Sequence, residues 1–205
     1  MKSKTLYLMS LVLMCSIMQA DEIKTDAIKT PVIKSDFPNL YLGLGISHMS
    51  LVDDATNEEM KANGVSLIVG YQFLPYLAIE SRYSKDIGNV EYDHGNNAAQ
   101  TSTNNYPTFF SNLGIYAKPM YQYDDIAPYL LLGYGKTKLI NIPSSGSVAE
   151  GNNFQWGAGI QYTFTQNISA FVDYIRLHDG KGFGNSAINV DVTAEMYTLG
   201  VTYKF

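Results

Sequence analysis

Bulky apolar side chains return at every second position through most of this chain, and a period of two admits strands and excludes helices. In NLYLGLGISH, Leu40, Leu42, Leu44 and Ile46 share one face, and Tyr41, Gly43, Gly45 and Ser47 share the other. In GVSLIVGYQF, Val65, Leu67, Val69, Tyr71 and Phe73 oppose Gly64, Ser66, Gly70 and Gln72. In FQWGAGIQYTF, Phe154, Trp156, Ala158, Ile160, Tyr162 and Phe164 alternate with Gln155, Gly157, Gly159, Gln161 and Thr163. The same pattern occupies about residues 76–92, 108–123, 127–140, 167–178 and 192–205, which makes eight strands.

The links between these segments alternate in length. Leu74-Pro75, Asp124-Asp125 and Thr165–Asn167 are tight turns, whereas 50–62, 93–107, 141–152 and 179–190 are long and rich in Asn, Ser, Gly and acidic residues. An up-and-down barrel of hairpins sorts its links this way when one rim faces the periplasm and the other the exterior. A two-sheet sandwich has short strands too, but no reason to alternate its loops by length.

The two faces of the strands identify the solvent. The bulky set carries aromatics at both ends: Tyr71, Phe73, Tyr121, Tyr162, Phe164, Tyr203 and Phe205 towards the short turns, and Tyr83, Tyr134, Phe154, Trp156 and Tyr197 towards the long loops. The opposite set is Gly, Ser, Gln and Thr with Glu80, Arg82, Lys118 and Asp173. So many large side chains do not fit inside a small barrel, and glycines make a poor outer face. Bulky side out and polar side in is the arrangement that suits lipid, with aromatic girdles at both interfaces. Closing the sheet satisfies every backbone group without water.

The first twenty residues, MKSKTLYLMSLVLMCSIMQA, combine Lys2 and Lys4 with an apolar run from Leu6 to Met18 and then Ala20. That is the layout of a secretory signal peptide, too short to span a bilayer as a helix. The one cysteine, Cys15, lies inside this leader, and Met14 before it is too bulky for a lipoprotein attachment site. No disulfide framework is therefore expected. Residues 21–38 repeat Ile-Lys every five residues (23–24, 28–29 and 33–34), a period of neither strand nor helix that Pro31 and Pro38 interrupt, and read as a periplasmic tail ahead of a barrel at 39–205. With 14 Lys+Arg against 19 Asp+Glu, the net charge of −5 offers no nucleic-acid groove.

The ending TLGVTYKF sets Thr198, Gly200, Tyr203 and Phe205 at polar-x-Gly-x-x-aromatic-x-aromatic spacing. This resembles the C-terminal signal by which bacterial outer-membrane barrels meet their assembly machinery. With the strand count, the loop alternation and PYLLLGYG at 128–135, residues 39–205 resemble the small eight-stranded outer-membrane family, the OmpA membrane domain and OmpX-like barrels. The resemblance implies a monomer in the bacterial outer membrane, in contact with lipid and lipopolysaccharide, with no cofactor, no metal and no enzymatic chemistry. No wall-anchoring domain is expected after Phe205. Its implied role is structural or surface-interacting, around a polar plugged lumen.

Candidate sites follow from the inward face. Glu80 and Arg82 lie two apart and project to one side; Lys118 and Asp173 fall on inward positions of other strands. Opposite charges inside a narrow barrel are expected to pair, because an isolated buried charge is very costly. A side-chain plug is one outcome, and a gated polar path for small solutes, a porin-like role, is the other. His48-Met49-Ser50 is similar to the His-x-Ser pair of lipid A deacylases, which raises a lipid-modifying hydrolase. In those enzymes the pair lies late in the chain, and nothing else of their motif is matched. His94 and His178 are too separated in sequence to suggest a metal site. The loop acids Asp53, Asp54, Glu58, Glu59, Asp86, Asp93 and Asp179 read as solvated, with cation bridging to lipopolysaccharide or a host ligand as alternatives.

Overall fold

The computed structural model describes residues 39–53, 58–88, 91–93, 109–140, 148–181 and 191–205. The leader, the 21–38 segment, Asp54 and His94 lie outside the described residues. Nine β-strands follow in order: β1 (Leu40–Asp53), β2 (Glu58–Leu74), β3 (Leu77–Asp86), β4 (Glu91–Asp93), β5 (Phe109–Pro119), β6 (Ile126–Ile140), β7 (Val148–Thr163), β8 (Ile168–Lys181) and β9 (Asp191–Lys204). Each long strand pairs antiparallel with its neighbours, and β1 pairs with both β2 and β9, so the sheet closes into an eight-stranded barrel. No helix occurs among the described residues. The ladder running from Tyr41↔Lys204 to Asp53↔Val192 is the seam.

The additional element, β4, is the outer end of an expected strand, cut off. The alternation predicts one strand over 76–92, but β3 stops at Asp86 and Gly88 adopts φ +106°, a backbone region that side chains disfavour. The chain then resumes as β4, laid against the tip of β2 through Met60↔Tyr92. The strand expected over 108–123 is shorter as well. Regular pairing ends at Pro119, which has no N–H to give, and only the isolated bridges Met120↔Tyr129 and Tyr123↔Ile126 continue it. Asp124 takes a positive φ of 50° in the turn that follows.

Short links at Pro75-Tyr76, 120–125 and 164–167 gather at one rim, and the strand ends that flank 54–57, 94–108, 141–147 and 182–190 at the other, the periplasmic and extracellular ends of such a barrel. The stretch 50–62, expected as a long loop, is mostly strand, since β1 runs to Asp53 and β2 starts at Glu58. Exposure alternates along β1: Leu44 and Ile46 are 63% and 65% exposed, while Ser47 and Met49 on the opposite parity are buried. On β6 the outward set Ile126, Pro128, Leu130, Leu132 and Tyr134 rises about 20 Å for a strand tilted by about 40°. That is close to the height of a bilayer's apolar band.

Candidate functional site

The lumen is built in layers. At the periplasmic mouth a cavity of ≈ 310 Å³ is lined by Gln72, Gln161, Thr202 and Lys204, with Tyr41 and Lys118 at its floor. Above it lies an ionic layer centred on Arg82. β3 presents Glu80 and Arg82 two residues apart on the inward face, and Arg82 donates to Glu80 Oε2 through Nε at 2.7 Å and Nη2 at 2.6 Å. Its Nη1 donates to Asp173 Oδ2 on β8 at 2.7 Å. Lys118 Nζ on β5 donates to Glu80 Oε1 at 2.8 Å and to Gln161 Oε1 at 3.2 Å.

All four expected lumen residues are thus in one cluster, with two cations balancing two carboxylates. Two tyrosines complete it: Tyr41 donates to Glu80 Oε1 at 2.6 Å and Tyr129 to Asp173 Oδ2 at 2.7 Å. Lys118 Nζ also lies 4.1 Å from the Tyr129 ring centroid, and the Arg82 guanidinium 5.6 Å from that of Phe171. Arg82, Glu80, Lys118 and Asp173 are almost wholly shielded from solvent. Charge pairing, aromatic faces and hydroxyl donors together offset a desolvation that no single pair would repay.

The tyrosines escaped the sequence reading, yet a signal for them exists. Tyr41 pairs with Gly70 and Tyr129 with Gly159 across adjacent strands. A Cβ on Gly159 would lie 2.6 Å from Tyr129 Cζ and 2.6 Å from Asp173 Cβ, so only glycine leaves room for the ring. A tyrosine facing a glycine on the inward set marks a ring folded across the lumen.

Above the ions, Asn112, Tyr116, Thr137 and Gln155 form an amide layer. Tyr116 donates to Gln155 Oε1, while Gln155 Nε2 and Thr137 Oγ1 each donate to Asn112 Oδ1 at 2.9 Å. Ser47, Ser66 and Ser84 link β1, β2 and β3 at 2.5 and 2.6 Å. Towards the loops the lumen turns apolar, with Met49, Leu51, Phe110, Leu139, Leu177 and Met196 packed together. This corrects the expectation of a wholly polar interior. The inward register was read from the glycines and serines of the lower strands, and towards the loops the same register carries Met and Leu.

The family model for the outer membrane protein beta-barrel domain matches residues 8–205. This chain belongs to that family. Among solved structures, Ail of Yersinia pestis aligns at 17% identity and TM-score 0.54, over 82% of this chain and 98% of Ail. Neisserial surface protein A aligns at 17% identity and TM-score 0.54, over 81% and 97%. AlkL in lipid bilayers aligns at 10% identity and TM-score 0.58, over 88% and 96%. No curated protein matches the chain. The chain is an outer-membrane barrel of the bacterial envelope.

On the lipid face of this barrel, the girdle residues named from sequence point outward. Tyr71 and Phe73, Tyr162 and Phe164, and Tyr203 and Phe205 form three edge-on pairs at the periplasmic rim, with centroids 4.9, 4.9 and 5.1 Å apart. Trp156 meets Tyr174 at 6.1 Å, and Tyr174 meets Tyr197 at 5.1 Å, towards the loops. At the carboxyl end Thr198 is buried in the lumen, Gly200 adjoins Phe171, and Tyr203 faces out.

The suggested hydrolytic pair is engaged otherwise. His48 Nδ1 lies 2.9 Å from Asn63 Oδ1, and Ser50 Oγ donates to Glu59 Oε1 at 3.2 Å rather than to the imidazole. Both sit on the outward-facing set of β1. His178 is buried, because a bulge between Arg176 and His178 turns both Leu177 and His178 inward. Its Nδ1 meets Asn153 Nδ2 at 2.5 Å and its Nε2 the Gly180 carbonyl at 3.0 Å. No set of metal-ligating residues occurs among the described residues.

Proposed function

We propose that this barrel is a non-conducting scaffold that stabilises the outer membrane and presents its long loops at the cell surface, without enzymatic chemistry. One observation carries the reading: the lumen is filled across its width twice. The Arg82 cluster closes it near the periplasmic side, and the Met49, Leu177 and Met196 layer closes it towards the loops. Ions entering the mouth cavity meet Lys118 and then fully buried side chains, and a dehydrated ion in an apolar layer is very unfavourable.

The test is conductance of the purified barrel in planar bilayers at neutral pH. A silent membrane is expected; regular unitary steps would overturn the scaffold and favour the porin-like alternative. For the hydrolase alternative, Ser50→Ala is expected to leave lipid A acylation in whole cells unchanged. Assembly belongs to the same reading: Thr198, Gly200, Tyr203 and Phe205 serve as the sequence handed to the assembly machinery, and the finished barrel works as a monomer.

A further inference from the structure

The cavity at the periplasmic mouth is blind: the Arg82 layer closes it above, and its ≈ 310 Å³ open towards the periplasm. Inward residues build it, among them Gln72 on β2, Gln161 on β7, Ser169 on β8, and Thr202 and Lys204 on β9. Small-molecule sites run from roughly 300 to 1,000 Å³, so a volume at the lower end admits the end of a chain and no folded partner.

One residue sets its charge. Lys118 at the floor belongs to the ionic layer, where two cations answer two carboxylates. Lys204 is the surplus: its Nζ donates to Gln72 Oε1 at 2.7 Å, and no carboxylate lines the cavity among the described residues. Asp124 and Asp125 sit in the rim turn, outside that lining. A single neutral amide oxygen leaves most of an ammonium's donors unanswered. Beside Lys204 the polar groups are mainly amides and hydroxyls. Gln161 Oε1 accepts from Lys118 at 3.2 Å, while Gln161 Nε2 and the Thr202 hydroxyl find no partner among the described residues.

We infer that this cup binds the carboxyl-terminal end of a short periplasmic peptide. Lys204 holds the terminal carboxylate, a charge-assisted pairing. Gln72, Gln161 and Thr202 pair with the peptide groups behind it, since a side-chain amide offers the same donor and acceptor as a peptide bond. Other ligands fit the lining worse. An acyl chain would leave the amides unpaired, which is costly. A sugar would find no open aromatic face, because Tyr41 is buried with its hydroxyl donated to Glu80. Such peptide ends have two sources, soluble peptides and the peptides of the cell wall.

The test follows the amide resonances of the full, isotope-labelled chain in neutral detergent micelles as N-acetyl-trialanine is added. Saturable shifts are expected at the side-chain amides of Gln72 and Gln161 and at the Thr202 backbone, with Ser111 and Lys138 at the opposite rim unmoved. The same peptide with an amidated carboxyl end is expected to bind about five- to tenfold more weakly, as for one partly exposed charge pair. Lys204→Gln should bring the acid down to the level of the amide, while Lys61→Gln, which removes the same charge at the far rim, should change neither. Equal affinities of wild type for acid and amide would overturn the proposal, and that comparison depends on no variant folding. Shifts that fail to saturate, or that spread over both rims, would overturn it as well. Acetate displacing the peptide at equal concentration would reduce the cup to a bare carboxylate site and overturn the peptide. Pelleting of the barrel with purified wall sacculi, reversed by excess N-acetyl-trialanine, would support the site with the wall as its source. Binding of N-acetyl-trialanine without retention on sacculi would support it with soluble peptides as the source.

Discussion

Arg82 is the residue on which the interior turns. Its guanidinium joins Glu80 and Asp173, and its replacement by Met would leave the Asp173 carboxylate, with one oxygen already lacking a protein partner, supported by Tyr129 alone. An uncompensated buried charge costs about 3–5 kcal/mol, so Arg82→Met should lower stability by that order in urea unfolding of the lipid-refolded barrel. Combining it with Asp173→Asn alone should recover most of the loss, because that pair of charges then leaves together and Lys118 still neutralises Glu80. A loss under about 1 kcal/mol for the single change would mean water reaches the cluster. Glycine seats are as strict. Gly70→Ala should cost about 1–3 kcal/mol, and much less in a Tyr41→Ala background where the ring it strikes is gone; the coupling is read from a double-mutant cycle. The charged residues of this site were legible because a Glu or Arg on the inward parity of a lipid-facing strand has few alternatives to pairing. Tyr129 was not, because its apolar ring resembles the girdle and only its parity separates the two, and Tyr41, although on the inward parity, carries no charge that demands a partner.

At the scale of elements, period-two alternation located every stave of the barrel, since lipid on one side and a packed lumen on the other leave each position a single orientation. Three departures have local causes that alternation does not encode. Gly88 ends β3 by taking a positive φ, Pro119 ends β5 by lacking a donor, and the bulge at Leu177 adds one residue to β8. Each is a backbone event, invisible to a pattern of side-chain polarity. The last strand permits a prediction of its own. Tyr203 and Phe205 pack edge to face on the lipid side, and the Phe205 N–H donates to the Leu40 carbonyl across the seam at 3.0 Å. That backbone bond survives a change of side chain. Tyr203→Ser with Phe205→Ser should therefore leave detergent refolding of the purified chain nearly intact while cutting the folded outer-membrane fraction in cells severalfold. Equal losses in both assays would assign these aromatics to stability alone.

For the whole molecule, two blocks in series set what crosses it. The ionic layer around Arg82 and the apolar layer of Met49, Leu177 and Met196 close the lumen at different heights, and current through resistances in series follows the larger one. Thinning only the apolar layer, with Leu177→Ser and Met196→Ser, should admit water from the loop side yet leave planar bilayers silent, because Arg82 still bridges β3 and β8. Thinning only the ionic layer, with Glu80→Ser and Arg82→Ser, should also stay silent, since a hydrated ion must still shed water to pass the methionines and leucines. The fourfold variant is expected to show unitary steps, provided boiling still shifts its gel mobility as a folded barrel's does. Conductance from either pair alone would reveal a single barrier and make the other layer mere packing. Silence from the folded fourfold variant would place a further obstruction in the amide layer of Asn112, Tyr116 and Gln155, whose hydrogen bonds span the same cross-section.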